Sequence, residues 1–253
     1  MWLADLTAPQ IDALSQDTVV VLPIAAIEQH GPHLPLVTDT CLLTGLLQSA
    51  HAEVDDRTLI APVQWWGNSH HHLDFPGTLS APPGIYVAML QGLVDTVLAH
   101  GFRRILLLNG HGGNDIPARQ AMFQVRQTHR QRDDLLLLTA TYWTLAPQPP
   151  AEVIQGLHQS DMGHACEWET SMMLHLAPHL VGAHKELPDV ATGDGFKPAN
   201  RAWTTRQRSS AGYLGAPSAA SAEKGQALLG LFHQGLVSLI DRMVAWDGHS
   251  WAG

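Results

Sequence analysis

Short runs of apolar, largely β-branched residues alternate along the chain with longer segments of helical pattern, and this alternation constrains the fold more than any other feature. Such runs are typical of parallel strands that are buried on both faces, and they occupy residues 18–24, 58–63, 104–109 and 135–141. The helical segments cover residues 40–52, 85–100, 117–130, 163–176 and 222–246. Alternating β and α elements predict an α/β fold with a mostly parallel sheet covered on both faces, a three-layer α/β/α sandwich.

Two stretches interrupt the alternation: residues 146–160, which are rich in proline, and residues 188–221, which are rich in Gly, Pro, Ser and Ala. Both predict long loops, which in compact domains are usually functional lids or flexible linkers. Neither stretch separates two convincing hydrophobic cores. We therefore expect residues 1–253 to form a single domain.

The charge balance narrows the possible partners. The chain carries 14 Lys and Arg residues against 23 Asp and Glu residues, a formal net charge of −9, which argues against nucleic-acid binding. Charged residues make up only 15% of the chain, below the roughly 25% of an average soluble protein, so we expect a homo-oligomer that buries surface between subunits. No apolar stretch approaches the roughly 20 residues of a membrane span.

The two cysteines, Cys41 and Cys166, are too few for a disulfide framework and fit free thiols in a reducing compartment. The first residues have no positively charged segment of the kind that begins a secretory signal. These features predict a cytoplasmic protein.

Glu28, His30 and Asp39 follow the end of the first predicted strand and precede the first long helix. Ligands of parallel α/β sheets bind at this carboxyl edge. Glu28 and His30 are two residues apart and point to the same side of an extended chain, and the intervening glycine and prolines allow Asp39 to fold back onto them. Imidazole with two carboxylates suits Zn²⁺, Mn²⁺ or Fe²⁺. The structural alternative is a polar loop with an incidental histidine.

The glycine-rich sequence N-G-H-G-G-N at residues 109–114 follows the third predicted strand and reaches the same edge. Its glycines allow close backbone approach, and His111 is the side chain in it that can bind a metal or carry a proton. A phosphate-binding loop is the competing interpretation. The loop lacks both a Walker lysine and the spacing G-x-G-x-x-G, so nucleotide binding is not favoured.

A third group, His164, Glu167 and Glu169, lies in the helix predicted over residues 163–176. His164 and Glu167 are spaced i and i+3 and would share one helical face. Glu169 lies about 200° around a regular helix from Glu167, so the two glutamates cannot serve one metal and need different roles. The structural alternative is an acidic first turn that complements the helix dipole.

Ser69 is followed by three consecutive histidines, His70, His71 and His72. Consecutive residues diverge in any regular structure, so at most one or two of these rings can face a common point. A loop that lines the pocket is the favoured interpretation.

Four motifs now occur in one order: E-Q-H-G-P-H-L-P-x-x-T-D, S-x-x-H-x-x-F-P-G-T, N-G-H-G-G-N and H-A-x-E-x-E-T-S, at residues 28–39, 69–78, 109–114 and 164–171. This order resembles the creatininase family of metal-dependent amidohydrolases. The resemblance continues to residues 212–217 and 222–225 and so spans nearly the whole chain. It implies an α/β fold, assembly as a homohexamer, and two divalent metal ions per subunit, Zn or Mn with Fe as an alternative.

Carried over residue by residue, the resemblance implies metal ligands at Glu28, His30, Asp39, His111 and Glu167, with Asp39 bridging the two ions. Glu167 enters this set because Gly113 stands where creatininase itself carries the second ion's carboxylate. His164 then resembles the proton shuttle, and Glu169 is assigned to orienting His164 or the substrate. The expected substrate-binding residues are His33, Ser69, His72 and Trp143.

The resemblance implies hydrolysis of a non-peptide C–N bond, an amide or cyclic amide of a small molecule, by metal-activated hydroxide, with His164 protonating the leaving nitrogen. Creatinine itself is not favoured, because Ser160 and Gly112 stand where creatininase has a flap tryptophan and a tyrosine.

Other members of the family leave two alternatives open, a peptidase that trims the precursor peptide of a redox cofactor and a formamide deformylase. A peptidase calls for a charged anchor near the site, for which the candidates are Lys185, Lys197, Arg201 and Arg206. A non-catalytic metal-binding oligomer is the remaining alternative.

Overall fold

A parallel sheet runs through the centre of the computed structural model, which describes residues 1–196 and 198–251. The strands are β1 (Val19–Ile24), β2 (Thr58–Ile60), β3 (Arg104–Asn109) and β4 (Leu136–Thr141). They pair in the order β2–β1–β3–β4. Strands β1 and β3 are paired along their whole length, from Val19 opposite Arg104 to Ile24 opposite Asn109. All six residues of each are buried, as expected for strands covered on both faces.

Eight α-helices surround the sheet in the described residues. They are α1 (Ala8–Asp12), α2 (Thr38–Val54), α3 (Pro83–Ala99), α4 (Asp115–Thr128), α5 (Pro150–Val153), α6 (Glu167–Leu176), α7 (Thr205–Arg208) and α8 (Ala222–Ala245). Side chains of successive strand residues point to opposite faces, and this divides the apolar residues into two cores. Val19 and Val21 lie in the core under α2, α6 and α8, whereas Val20 and Leu22 lie in the core under α3 and α4. This is a three-layer α/β/α sandwich, and the predicted fold class is confirmed.

The longest helix, α8, is the one described helix that is long and apolar enough to cross a membrane by length and composition alone. Leu228, Phe232, Leu236 and Ile240 recur along one face of it and are buried in the core with α2 and α6. This periodic burial is typical of a core helix, and we interpret α8 as one.

Two elements have boundaries that differ clearly from the predicted ones. Strand β2 ends at Ile60 rather than at residue 63, because the chain leaves the regular ladder after Ala61. The Ala61 N–H donates to the Val21 carbonyl oxygen, and the next bond to β1 runs from Gln64, instead of residue 63, to the Pro23 carbonyl oxygen. The helix predicted over residues 163–176 begins only at Glu167. Its predicted first turn is not helical: His164 pairs with Leu214 in an antiparallel bridge, and Ala165 has a left-handed φ of 47°. His164 and Glu167 therefore do not share a helical face.

Candidate metal centre

The loops that follow β1 and β3 meet at the carboxyl edge of the sheet, where the strand order reverses direction and α/β folds bind their ligands. The β1 loop carries Glu28 and His30, and the β3 loop carries His111. Asp39 and Glu169 join them from the first turns of α2 and α6. All five side chains are buried.

Glycine at two positions permits this arrangement. Gly31 turns the chain after His30 with a φ of 63°, a conformation that L side chains rarely adopt. Gly113 lies so close to the His111 ring and the Asn68 carbonyl oxygen that a Cβ atom would overlap both. No carboxylate can therefore be supplied from position 113 without displacing His111.

Asp39 lies between two histidines. Its Oδ1 is 3.2 Å from His30 Nε2, and its Oδ2 is 3.0 Å from His111 Nδ1. Glu169 Oε1 approaches the same His30 nitrogen at 3.7 Å. His30, Asp39 and Glu169 offer ligand atoms that lie within 4.8 Å of one another, a spacing that suits one metal ion.

Glu28 faces three imidazole rings, including that of His111. Its Oε2 is 3.3 Å from His111 Nε2, and its Oε1 is 3.3 Å from His72 Nε2 and 3.5 Å from His164 Nδ1. Two more groups with metal-ligand spacing contain Glu28, one with His71 and His111 and one with His30 and His164. The carboxylates and imidazoles thus form one continuous cluster, in which three overlapping groups have metal-ligand spacing.

These residues fit a divalent cation. Both Glu28 oxygens, Asp39 Oδ2 and Glu169 Oε2 are buried and have no hydrogen-bond partner among the described residues. Buried carboxylates are normally hydrogen-bonded, paired or bound to a metal, because an uncompensated buried charge is costly. Imidazole nitrogens and carboxylate oxygens are the donors that Zn²⁺ and Mn²⁺ accept.

The pKa values within the cluster show how strongly it needs positive charge. Burial raises the pKa of Glu28 to about 7, against the opposing effect of His111. Burial alone would lower the pKa of His111, but Glu28 and Asp39 outweigh it and raise that pKa to about 9. In the same way Asp39 and Glu169 overcome burial and raise the pKa of His30 well above its ordinary value. Protons here occupy the electrostatic role that a cation would fill.

Glu167 lies outside the cluster. Its Oε1 accepts a hydrogen bond from Lys224 Nζ at 2.6 Å, and its Oε2 accepts from the backbone N–H groups of His158 and Gln159 at 2.8 and 2.9 Å. Because α6 begins at Glu167, the roughly 200° between Glu167 and Glu169 points them to opposite sides. The structure therefore brings Glu169 to the position that the sequence analysis assigned to Glu167.

His164 reaches the cluster from the extended segment before α6. Its Nε2 is 2.9 Å from the Gln29 carbonyl oxygen, and its ring lies 4.3 Å from that of His30 and 4.2 Å from that of His72. Burial, with His30 and His72 nearby, lowers the pKa of His164 well below its ordinary value. The ring is therefore neutral near pH 7.

The four residues predicted to bind substrate separate into two pairs. Ser69 Oγ is 3.2 Å from His111 Nε2, and His72 faces Glu28, so both lie at the centre. His33 instead bonds to Thr170 Oγ1 at 2.9 Å. Trp143 lines a separate cleft of about 420 Å³ that contains no residue of the cluster. The spacing of residues along the chain does not reveal this separation, because the positions of His33 and Trp143 depend on how distant loops pack.

Three residues of the site were given no role by the sequence analysis. His71 has metal-ligand spacing with Glu28 and His111. The Gln29 side chain lies 2.6 Å from His72 Nδ1 and 2.8 Å from the Gly212 carbonyl oxygen, and Thr205 Oγ1 is 2.9 Å from His72 Nδ1. Gln29 and His71 lie inside the motifs at residues 28–39 and 69–78, so their positions in the sequence could have marked them as site residues. No motif includes Thr205.

Fold and site together define an α/β protein with a metallohydrolase-type centre at the carboxyl edge of its sheet. The sequence model of the creatininase family, described as creatinine amidohydrolase, matches residues 4–240. The chain therefore belongs to the creatininase family of metal-dependent amidohydrolases, and the expected family, fold and enzyme class are confirmed.

Two similar proteins show the range of the family. Creatinine amidohydrolase of Pseudomonas putida is 28% identical over 257 residues, which cover 95% of this chain and 96% of that protein. Mycofactocin precursor peptide peptidase of Mycobacterium tuberculosis is 30% identical over 233 residues, which cover 88% of this chain and 84% of that protein.

Solved creatininase structures superpose closely. Two of them are a point mutant of the Zn-Zn type and an Mn form. Each gives a TM-score of 0.81 at 26% identity, and the match covers 95% of this chain and 97% of the creatininase chain. A mutant complexed with creatine gives a TM-score of 0.82 at 26% identity, covering 96% of this chain and 98% of that chain.

Proposed function

We propose that this chain is a hydrolase with a two-ion centre of divalent metals, which cleaves the C–N bond of a small-molecule amide. The observation that carries the proposal is the convergence of three buried carboxylates, Glu28, Asp39 and Glu169, on histidine ring nitrogens. The Zn-Zn and Mn forms of creatininase support ions of these types.

The ligands divide into two sets that share Asp39. His30 and Glu169 lie beside Asp39 Oδ1, and His111 lies beside Asp39 Oδ2 together with Glu28. Because the two Asp39 oxygens face different histidines, Asp39 would contribute to holding both ions. Glu169 replaces Glu167 in the ligand set that the resemblance implied. His30 Nδ1 lies 3.1 Å from the Glu28 carbonyl oxygen, which holds the ring proton at Nδ1 and leaves Nε2 available to bind.

When bound, two divalent ions would lower the pKa of a water molecule and polarise the carbonyl group of an amide. His164 donates its Nε2 proton to the Gln29 carbonyl oxygen, so we assign the lone pair to Nδ1, which faces Glu28. A neutral ring in this orientation accepts a proton from the attacking water. It then delivers that proton to the leaving nitrogen, which an amide needs because an unprotonated amine leaves poorly.

Gln29 and His72 orient the carboxylate of Glu28. The Gln29 amide donates its two protons to the Gly212 carbonyl oxygen and to His72 Nδ1. His72 then carries its own proton on Nε2, which faces Glu28 Oε1. We therefore assign His72 a positioning role at Glu28.

The decisive experiment is elemental analysis of protein purified without chelator, for the wild type beside Asp39→Ala. We expect about two divalent ions per subunit in the wild type and one or none in the variant, because Asp39 serves both ions. A panel of linear and cyclic amides is then assayed with Zn²⁺ and Mn²⁺. A wild type that binds no metal after either addition would contradict the ligand set, and a wild type with two ions that cleaves no amide of the panel would contradict the proposed substrate class.

A metallopeptidase is the second candidate, supported by the 30% identity to the mycofactocin precursor peptide peptidase. The same residues serve either reaction, so the substrate decides between them. Adding short peptides and formamides to the amide panel separates the three activities. Cleavage of peptides without cleavage of small amides would favour the peptidase.

We also propose that the subunits form a homo-oligomer, a hexamer by resemblance to the family. Ile116 and Phe123 are spaced i and i+7 on α4 and are 79% and 64% exposed, which places two large apolar side chains on one face of the helix. The free thiols of Cys41 and Cys166 support a cytoplasmic location. Light scattering gives the assembled mass, and a monomer of 27.5 kDa would contradict the assembly.

A further inference from the structure

One stretch of the chain has a charge opposite to that of the whole. Residues 195–222 contain Lys197, Arg201, Arg206 and Arg208 and no Asp or Glu, in a chain whose net charge is −9. Lys197 lies outside the described residues. We call residues 201–208 the arginine segment. A local concentration of positive charge on an acidic protein attracts anions to that place.

The arginine segment lies against the metal centre. Thr205 Oγ1 is 2.9 Å from His72 Nδ1, and the His72 ring faces Glu28. A few residues further along the chain, the Gly212 carbonyl oxygen accepts a hydrogen bond from the Gln29 side chain at 2.8 Å. The stretch from Thr205 to Gly212, which includes the end of the arginine segment, is therefore tied to the centre at both ends.

Aromatic rings connect the guanidinium group of Arg208 to the centre. The His71 ring, which has metal-ligand spacing with Glu28 and His111, lies edge-on to the Trp203 ring at 5.1 Å between centroids. Arg208 stacks its guanidinium group on Trp203 at 4.8 Å from the ring centroid. Trp203 is 37% exposed, so this stack of rings leads from the buried cluster to the solvent.

The arginines of the segment have no acidic partner among the residues that the structure describes. Arg208 Nη2 donates to the Thr192 carbonyl oxygen at 2.6 Å, and its other N–H groups have no partner in the part of the chain that the structure describes. Arg206 donates to the Asp74 carbonyl oxygen and stacks on Phe75 at 4.7 Å from the ring centroid. Stacking holds a guanidinium group in place while its polar edge stays available.

The other basic candidates are used differently. Lys185 donates to the carbonyl oxygens of Ser218 and Ala220, which accounts for its charge within the fold. Arg201 stacks on Phe196 at 5.7 Å from the ring centroid, and no contact of the described residues links that pair to the rings of the centre. Arg208 is thus the best placed of these cations for a group bound at the centre.

We propose that Arg208, supported on Trp203 and assisted by the positive charge of Arg206, binds a carboxylate group of the substrate at the mouth of the metal centre. The planar edge of a guanidinium group matches a carboxylate, and their charges are equal and opposite. The inference rests on the proposed amide hydrolysis and names its substrate class, an amide that also carries a carboxylate. The carboxylate belongs either to a small amide acid or to the C-terminus of a peptide.

The test compares the binding of acids with that of their uncharged amides. Zinc-loaded protein carrying His164→Ala, in which we expect turnover to be suppressed, is titrated by calorimetry with N-acetylglycine and with N-acetylglycinamide. A second pair, triglycine and triglycinamide, represents the peptide source. Arg208→Gln and Arg208→Lys are each added to the same background. Arg130→Gln is the control, since Arg130 is exposed just beyond the end of α4 and, among the described residues, bonds only the Gln127 carbonyl oxygen.

We expect one of the two acids to bind about tenfold more tightly than its amide when Arg208 is present, the range of one charge-assisted hydrogen bond. Arg208→Gln should reduce that preference to about twofold or less, whereas Arg130→Gln should retain it. The pair that shows the preference identifies the source of the carboxylate. A preference that is absent from both pairs, or that is unchanged in Arg208→Gln, would overturn the proposal.

Arg208→Lys separates charge from loop structure. Lysine keeps the positive charge but loses the stacked plane and the bond to Thr192, so we expect a preference between those of Arg and Gln. Equal loss of affinity for the acid and for its amide in either variant would mean that Arg208 only anchors the loop, and would overturn the proposal.

Turnover by protein with His164 intact is the separate readout. An Arg208-dependent preference without hydrolysis of any amide would contradict the proposed function and leave the subsite standing. Hydrolysis without an Arg208-dependent preference would support the proposed function and contradict the carboxylate subsite.

Discussion

Two glutamates at the start of α6 have different surroundings although only one residue separates them. Glu167 is buried against Lys224, and the side chain of Lys224 is itself only 15% exposed. Glu169 points into the cluster of His30 and Asp39, where its Oε2 has no hydrogen-bond partner among the described residues. A buried ion pair stabilises the fold only while both partners are present, whereas an unpartnered carboxylate beside a metal centre contributes to ligand binding.

Substitution by glutamine should therefore affect stability at one position and metal content at the other. Glu167→Gln should lower the free energy of unfolding by about 3 kcal/mol, because it leaves the ammonium group of Lys224 buried without a counter-charge, and the folded protein should keep its metal. Glu169→Gln should lose at least one ion per subunit and leave the stability of the metal-free protein nearly unchanged. Urea denaturation of the metal-free proteins and elemental analysis of the loaded ones give the two readouts.

The two variants are controls for each other. If Glu167→Gln loses metal while Glu169→Gln retains it, the assignment made from the sequence motif is right and the one made from the structure is wrong.

His164 provides a second test at a single side chain. His164→Ala should retain about two ions per subunit and lose turnover by about 10²–10⁴-fold, the usual contribution of a positioned acid–base group. Metal content and kcat are measured on the same preparation. Loss of metal in this variant would instead make His164 a ligand, which its spacing with Glu28 and His30 permits.

Helices α6 and α8 approach each other closely because one residue of α8 has no side chain. A Cβ atom at Gly225 would overlap the carbonyl oxygen of Ser171 in α6. This contact matters for the site, since α6 carries Glu169 and α8 carries Lys224, the partner of Glu167. A side chain at position 225 would push the two helices apart.

Gly225→Ala should accordingly lower the free energy of unfolding by about 2–3 kcal/mol, the cost of overpacking a tight contact. Gly230→Ala, on the exposed face of the same helix with nothing within 4 Å of the added Cβ, should raise it by about 0.5–1 kcal/mol through helix propensity. Chemical denaturation of both variants measures the difference. Equal effects of the two substitutions would contradict the close α6–α8 contact.

Metal binding should stabilise the protein as a whole, because the cluster draws together two strand loops and the starts of α2 and α6. Without cations, the carboxylates of Glu28, Asp39 and Glu169 lie close to one another in the interior, and burial raises the pKa of Glu28 to about 7. A ligand that binds only the folded state stabilises that state.

Removing the metal with a chelator should lower Tm by about 5–10 °C, and adding Zn²⁺ or Mn²⁺ should restore it. Scanning calorimetry measures the shift. Asp39→Ala is the matched control, since a variant that binds little metal should show little response to the chelator. A wild-type Tm that ignores both chelator and added metal would contradict a metal centre at this place.

Local patterns in the amino-acid sequence were sufficient for the fold class and for one side of the centre. The strand over residues 104–109 was predicted to the residue, because a buried strand must be continuously apolar. Glu28, His30 and His111 were placed at one edge because the carboxyl ends of parallel strands meet there.

Contacts between distant segments settled the remainder. Whether Glu167 or Glu169 faces the cluster depends on where α6 begins, and that in turn depends on the bridge between His164 and Leu214. Trp143 lies in its own cleft and Arg208 lies over Trp203 because loops far apart in the chain pack together. Periodicity describes a residue's nearest neighbours along the chain, whereas the partner of a buried charge is chosen by the packing of the entire fold.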